Sequence, residues 1–95
     1  MFLHIHNVKY LTEYQLEVSF SNGRTGVADF RHLLDGKMFA ALRDPSVFAQ
    51  ARIDQELETI VWPNGADVAP EFVYYQAFQH DPELQRQFHQ WGYVT

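Results

Sequence analysis

The sequence predicts an α+β fold: a small antiparallel sheet of four to five strands, built from two hairpins, with two or three short helices packed against it. Residues 3–30 alternate apolar and polar side chains with the period of two that is typical of strands. An Asn22-Gly23 turn interrupts this stretch, and after Pro70 the period changes towards the 3.6 residues of a helix. Because 95 residues build one core, we expect a single domain over residues 1–95.

The first hairpin is predicted from one alternating run, whose apolar members are Tyr14, Leu16, Val18 and Phe20. Asn-Gly tolerates positive φ at both central positions of a tight turn, so residues 24–30 should run back antiparallel. Gly26 inside this returning strand is typical of a bulge. A second hairpin is expected around Gln55-Glu56, because a short strand-like run lies on each side of this pair.

Three helical segments are expected. Residues 31–51 mix short helical and turn signals, which predicts a helix of one or two turns plus a loop. Another helix should begin at Pro70, since the first helical N–H has no partner within the helix. The C-terminal helix is predicted over about residues 82–91, with Asp81 as its N-cap and Gly92 ending it.

The segment between these elements carries the most distinctive motif, which is formed by Trp62, Pro63, Asn64, Gly65, Asp67 and Pro70. A structural role explains it: Pro63 and Gly65 shape a turn, and Asp67 satisfies backbone donors ahead of the helix. A cation site is the alternative, because Asn64, Asp67 and Glu71 place three oxygen-bearing side chains close together. Calcium, however, takes six to eight oxygens from a regularly spaced loop, and that spacing is absent.

Composition excludes several classes of protein. The chain has no cysteine, so disulfide frameworks, thiolate zinc sites and cysteine nucleophiles are impossible. It carries neither the pattern of a signal peptide nor a long apolar run, so we expect a cytoplasmic protein without membrane contact. The net charge is −5, and residues 51–95 hold two basic and seven acidic side chains. With no basic patch, we expect no direct nucleic-acid partner.

Catalytic and metal-binding patterns are also missing from the sequence. No serine lies in a nucleophile motif, and there is no glycine-rich phosphate loop, so an enzyme is less expected than a non-enzyme. An active site assembled from distant segments stays open. His4 and His6 share a strand face and could bind a metal with a third ligand such as His80 or His89. Since spacing sets no third ligand, we expect no metal and no cofactor.

The C-terminal part is unusually aromatic: seven of residues 72–93 are Phe, Tyr or Trp. One small sheet face cannot readily bury all of them, and aromatic residues are enriched at protein interfaces. The opposite interpretation, in which the last helix hides every ring, stays equally open. We predict a partner-binding surface formed by Glu71, Tyr74, Phe78, Trp91 and Tyr93.

The chain resembles the bacterial family called domain of unknown function 2442. The resemblance lies in the order of strands and turns, in Val27 to Phe30, and above all in one segment followed by Tyr74: Ile60-Val61-Trp62-Pro63-Asn64-Gly65-Ala66-Asp67-Val68-Ala69-Pro70-Glu71. The resemblance covers roughly residues 3–78. It implies a compact α+β domain, which in some members is fused to a helix-turn-helix DNA-binding domain and is often encoded beside another small protein. No catalytic residues are established for the family, so it implies none here. Because this chain ends at Thr95, with one helix left, we expect no operator binding of that kind.

The resemblance therefore implies a sensing, regulatory or partner-binding role, such as the acidic half of a toxin–antitoxin-like pair. Our leading hypothesis is a protein-interaction or regulatory module that binds a protein partner or a second copy of itself. The first alternative is a metal- or small-molecule-binding sensor or enzyme that uses His4, His6, Asp67 and Glu71. The second is a structural homodimer in which the C-terminal helix pairs with its symmetry mate.

Overall fold

A computed structural model of the chain describes residues 3–34, 36–37 and 39–94. Within these residues, five strands form two antiparallel sheets: β1 (Ile5–Thr12), β2 (Gln15–Phe20) and β3 (Thr25–Asp29) in the order β1-β2-β3, and β4 (Arg52–Asp54) paired with β5 (Thr59–Val61). The helices are α1 (Pro45–Phe48), α2 (Pro70–Phe78) and α3 (Gln85–Gln90), with 3₁₀ turns at Arg31–Leu33, Ala40–Arg43 and Pro82–Leu84. The α+β class and the number of strands are confirmed.

The five strands do not form the one sheet that we predicted. The N–H of Ile5 donates to the carbonyl of Glu58 at 3.0 Å, which joins the start of β1 to the second hairpin. Directly after it, the pairing of β1 with β2 shifts register between Ile5 and Asn7. An irregularity of this kind bends and twists a strand.

The β2–β3 hairpin forms where it was predicted. Gly23 has a φ of 86°, and the Asn22 side-chain oxygen accepts the N–H of Arg24 at 3.0 Å. Both features close a tight turn. The apolar residues of β2 lie on its inner face and are buried: Leu16, Val18 and Phe20.

Gly26 does not mark a bulge, because it pairs in regular register with Val18. Its lack of a side chain serves another purpose. A Cβ built at Gly26 would lie 2.8 Å from two carbons of the Phe78 ring and 3.3 Å from the Cβ of Ala77. Gly26 therefore lets α2 approach β3 closely, which positions the aromatic side chains of that helix against the sheet.

Trp62 anchors the turn motif in the core. Its side chain is 2% exposed, and its indole N–H donates to the carbonyl of Phe48 at 3.0 Å. Gly65, with a φ of 89°, donates its N–H to the Trp62 carbonyl at 3.0 Å, and the Asn64 side-chain oxygen accepts the N–H of Ala66 at 3.0 Å. The backbone of the turn is thus shaped by the residues of the motif, as a tight turn requires.

Asp67 does not satisfy backbone donors at the helix start, which is the role that we expected for it. Asp67 is exposed and forms an isolated backbone bridge with Val61, whereas the N-cap of α2 is Ala69, which makes no side-chain capping bond. Two residues separate Asp67 from the helix start, so its carboxylate is too far along the chain to cap. Pro70 does occupy the first turn of α2, as predicted.

The C-terminal helix occupies its predicted place, although its first turn is 3₁₀ and only Gln85–Gln90 is α-helical. The Asp81 carboxylate accepts the N–H of Glu83 at 2.9 Å. At the other end Gly92 has a φ of 86°, and the N–H of Tyr93 donates to the carbonyl of Phe88 at 3.0 Å. This is the expected glycine-terminated helix end. No helix among the described residues has the length and apolar character needed to cross a membrane.

Candidate functional site

The aromatic side chains of α2 and α3 form one continuous cluster of ring contacts around Tyr74. Its ring centroid lies 5.0 Å from that of Phe20, 4.8 Å from Phe78, 6.1 Å from Phe88 and 6.0 Å from Trp91. Most of these pairs meet edge to face, the arrangement that aromatic quadrupoles favour. Tyr74 and Phe88 are fully enclosed, at 3% and 0% exposure. The cluster therefore holds α2, α3 and the end of β2 together.

A pocket of about 200 Å³ opens beside this cluster, between the β2–β3 turn, α2 and α3. We call it the helix–hairpin pocket. Its lining includes Ser21, Asn22, Glu71, Tyr74, Gln87 and Trp91. Leu3 lines it as well. Residues from four separate parts of the chain thus converge on one concave surface, which combines a carboxylate, two amides, a hydroxyl, a phenol, an indole ring and a leucine side chain. A few converging polar groups beside aromatic walls are typical of a binding site.

Glu71 is the charged group of the pocket. It is half-buried, and none of the hydrogen bonds or ion pairs made by side chains in residues 3–34, 36–37 and 39–94 uses its carboxylate. Its charge reaches Tyr93: burial first, and then the Glu71 carboxylate, raise the pKa of the Tyr93 hydroxyl above its ordinary value. The Tyr74 hydroxyl accepts from the Asn22 side-chain amide at 3.3 Å. The pocket therefore has negative charge available to a ligand.

Three of the five side chains that we predicted for partner binding line the pocket, namely Glu71, Tyr74 and Trp91. The other two lie outside its lining. The Tyr93 ring is 6.2 Å from that of Trp91, and the Phe78 ring is 4.8 Å from that of Tyr74 and packs against Gly26.

Tyr74 also differs from the expectation, since its ring belongs to the core and not to an exposed patch. Sequence periodicity could not decide this, because the packing of α3 across α2 determines which ring is covered.

Sequence analysis missed four of the residues that line the pocket, namely Leu3, Ser21, Asn22 and Gln87. The first three belong to the strand and turn pattern of residues 3–30, and no local signal shows that this part of the chain faces α2. Gln87 could have been found, because it lies four residues before Trp91 and hence on the same helix face.

The two candidate metal ligands lie elsewhere, at a groove of about 310 Å³ where β1 meets the second hairpin. His4 is already engaged, since its Nδ1 is 2.6 Å from Oε2 of Glu58. His6 is exposed beside it. Neither His80 nor His89 lines this groove. Across the part of the chain that the structure describes, no three His, Asp or Glu side chains are arranged to hold a metal ion.

Comparison with known proteins gives the family. A family model described as "Protein of unknown function (DUF2442)" matches residues 5–79. The chain belongs to this family. The match agrees with the resemblance carried by the Trp62–Pro70 motif, and the family description assigns no activity. No curated protein matches the chain.

The fold is also similar to a solved crystal structure, "Putative DNA Binding Protein NE0471" from Nitrosomonas europaea ATCC 19718, with a TM-score of 0.75. The two sequences are 20% identical, so the likeness shows the fold alone. The alignment covers 99% of this chain but 64% of the other, so this chain spans less than two thirds of that protein's length.

This comparison contradicts our expectation about partners. We expected no direct nucleic-acid partner, whereas a protein that shares this fold is described as DNA-binding. The expectation was wrong. It relied on the lack of a clustered basic patch, and in particular on the two basic side chains among residues 51–95, whereas a few well-placed donors can contact DNA without such a cluster.

Proposed function

We propose that this chain is a protein-interaction module with a regulatory role, and that its partner docks over the helix–hairpin pocket. The observation that carries the proposal is the convergence of Glu71, Tyr74 and Trp91 on one pocket that a helix, a second helix and a hairpin turn build together. Trp and Tyr are the residues most enriched among those that dominate binding energy at interfaces. Glu71 beside them has no intramolecular ion pair among the described residues.

The lining of the pocket favours binding over catalysis. Glu71 is the one carboxylate among the described residues that line it, and these include no histidine, cysteine or lysine. The groups present can orient and hold a ligand.

The test is capture of partners by the tagged full chain from an extract of the organism that encodes it, with the stoichiometry determined by mass spectrometry and light scattering. A specific partner should be lost with Glu71→Lys and with Trp91→Ala, while Glu56→Lys, a charge reversal at an exposed turn, should keep it. Circular dichroism must show that the variants are folded. Tyr74→Ala is unsuitable, because truncation of a buried ring costs about 3–5 kcal/mol of stability. Equal capture by all variants would refute the docking surface.

DNA-linked regulation is the second candidate. It is favoured by the shared fold with a protein described as DNA-binding, which is longer than this chain. Fluorescence anisotropy with labelled duplex DNA tests it directly. If the contacts are to phosphates, the association constant should fall steeply as the salt concentration rises. The slope of its logarithm against the logarithm of the salt concentration is about −0.9 for each phosphate neutralised. No binding at low salt would exclude direct contact by this chain and would leave only regulation through another protein.

A further inference from the structure

One arginine of this chain is already held by the aromatic cluster. The guanidinium carbon of Arg24 lies 5.8 Å from the centroid of the Phe78 ring, and its Nη1 is 3.2 Å from Oδ2 of Asp81. An aromatic face and a carboxylate together therefore accommodate one guanidinium at the Phe78 end of the cluster. Guanidinium suits such a place because it is planar, weakly hydrated and able to bond a carboxylate while lying against a ring.

The Trp91 end of the cluster offers the same combination of groups without a cation. The rings are those of Tyr74 and Trp91, whose centroids are 6.0 Å apart, and the carboxylate is that of Glu71. No arginine or lysine lines the helix–hairpin pocket, so far as residues 3–34, 36–37 and 39–94 describe it. The Gln87 side chain in the same lining adds an acceptor oxygen for a further N–H donor.

The size of the pocket limits what it can hold. About 200 Å³ is less than the roughly 300–1,000 Å³ of pockets that bury whole drug-sized ligands or cofactors. A single long side chain is of a more suitable size than a nucleotide or a flavin. The sign of the local charge also matters, since a carboxylate with no ion pair repels anions and attracts cations.

We propose that the helix–hairpin pocket receives an arginine side chain of a protein partner, whose guanidinium pairs with the Glu71 carboxylate and lies against the Trp91 ring. This inference rests on the proposed function, because it states what the partner inserts. Charge complementarity supports a basic partner segment: residues 51–95 carry seven acidic and two basic side chains. Lysine fits less well, since its ammonium is strongly hydrated and cannot lie flat on a ring.

The test is a titration of the full chain with N-acetyl-arginine methylamide, followed by ¹H–¹⁵N NMR at low ionic strength. The Trp91 indole and the Gln87 side-chain amide should shift with a saturable dependence on concentration. The Trp62 indole is buried and bonded to the carbonyl of Phe48, so it serves as an internal reference that should not move. The neutral isostere N-acetyl-citrulline methylamide should bind about tenfold more weakly or worse, the factor expected for loss of one charge-assisted hydrogen bond.

Two variants complete the design. Glu71→Gln keeps the size of the side chain and should weaken binding of the arginine probe about tenfold, whereas Glu56→Gln should leave it unchanged. The guanidinium assignment would be overturned if the citrulline probe, or the analogous lysine probe, bound as tightly as the arginine probe. It would also be overturned if Glu71→Gln bound the arginine probe with unchanged affinity.

The two proposals can fail separately. If the probe does not bind but the captured partner is still lost with Trp91→Ala, the docking surface stands and the arginine assignment falls. If the probe binds and Glu71→Gln weakens it, but every variant captures the partner equally, the arginine site stands and the proposed docking function falls.

Discussion

Gly26→Ala tests how closely α2 packs against the β1-β2-β3 sheet. The added Cβ would lie 2.8 Å from both Cε1 and Cζ of the Phe78 ring, a distance that packed carbon atoms do not adopt. The ring has little room to retreat, because its centroid is 4.8 Å from that of Tyr74 and 5.9 Å from that of Phe20. The helix or the ring must therefore move.

The magnitude follows from two opposing effects. Extra volume in a packed region costs about 1–3 kcal/mol, while replacing glycine by alanine removes freedom from the unfolded chain and returns about 0.4–1 kcal/mol. We expect the free energy of unfolding to fall by about 1–2 kcal/mol. For a domain of this size that lowers Tm by roughly 4–15 °C.

Urea denaturation followed by circular dichroism measures the effect, and a double-mutant cycle assigns its cause. Leucine at position 78 lacks the two ring carbons that clash, so in a Phe78→Leu background Gly26→Ala should become neutral or slightly stabilising. Gly36→Ala is a matched control, since a Cβ at Gly36 would meet nothing within 4 Å. If Gly26→Ala costs the same in both backgrounds, or costs nothing in the natural one, the reasoning about close packing is refuted.

Two further predictions concern a buried hydroxyl and a phenol. Thr59 is 6% exposed, and its hydroxyl donates to the carbonyl of Val68. Thr59→Val should therefore lower the free energy of unfolding, measured by urea denaturation, by about 1–3 kcal/mol. Thr59→Ser keeps the hydroxyl and should lower it less, and the reverse order would contradict this prediction. The pKa of Tyr93 is raised on folding, so the unfolded chain loses that proton first as pH rises. The stability that the protonated Tyr93 contributes is intact below pH about 10 and is lost as pH rises through the pKa of the folded state. Tyr93→Phe should therefore show a smaller decline of Tm in that pH range than the natural chain.

Several elements were predictable because their causes are local. The Asn22-Gly23 turn, the helix start at Pro70 and the helix end at Gly92 each depend on backbone groups within five residues of one another. The family resemblance was readable for the same reason, since the Trp62 motif is contiguous and shapes its own turn.

Other features escaped prediction because their causes lie far apart in the chain. Gly26 looked like a bulge, but its neighbour in space is Phe78, 52 positions later. Asp67 was expected to satisfy backbone donors ahead of the helix, but α2 begins after Ala69 and Asp67 bridges back to Val61. Nothing local distinguishes these alternatives, because each depends on which surface a helix or strand finally meets.

The sequence by itself determined the α+β class, both hairpins, the start of α2, both ends of the C-terminal helix and the chemical character of the aromatic, acidic C-terminal part. Short-range hydrogen bonding and periodicity are sufficient for all of these. Only the tertiary structure decided that the strands divide into two sheets, that Tyr74 is buried while Trp91 reaches a pocket, and that Asn22 and Glu71 line the same pocket. These outcomes depend on the packing of α2 and α3 against the first hairpin, which no local pattern encodes.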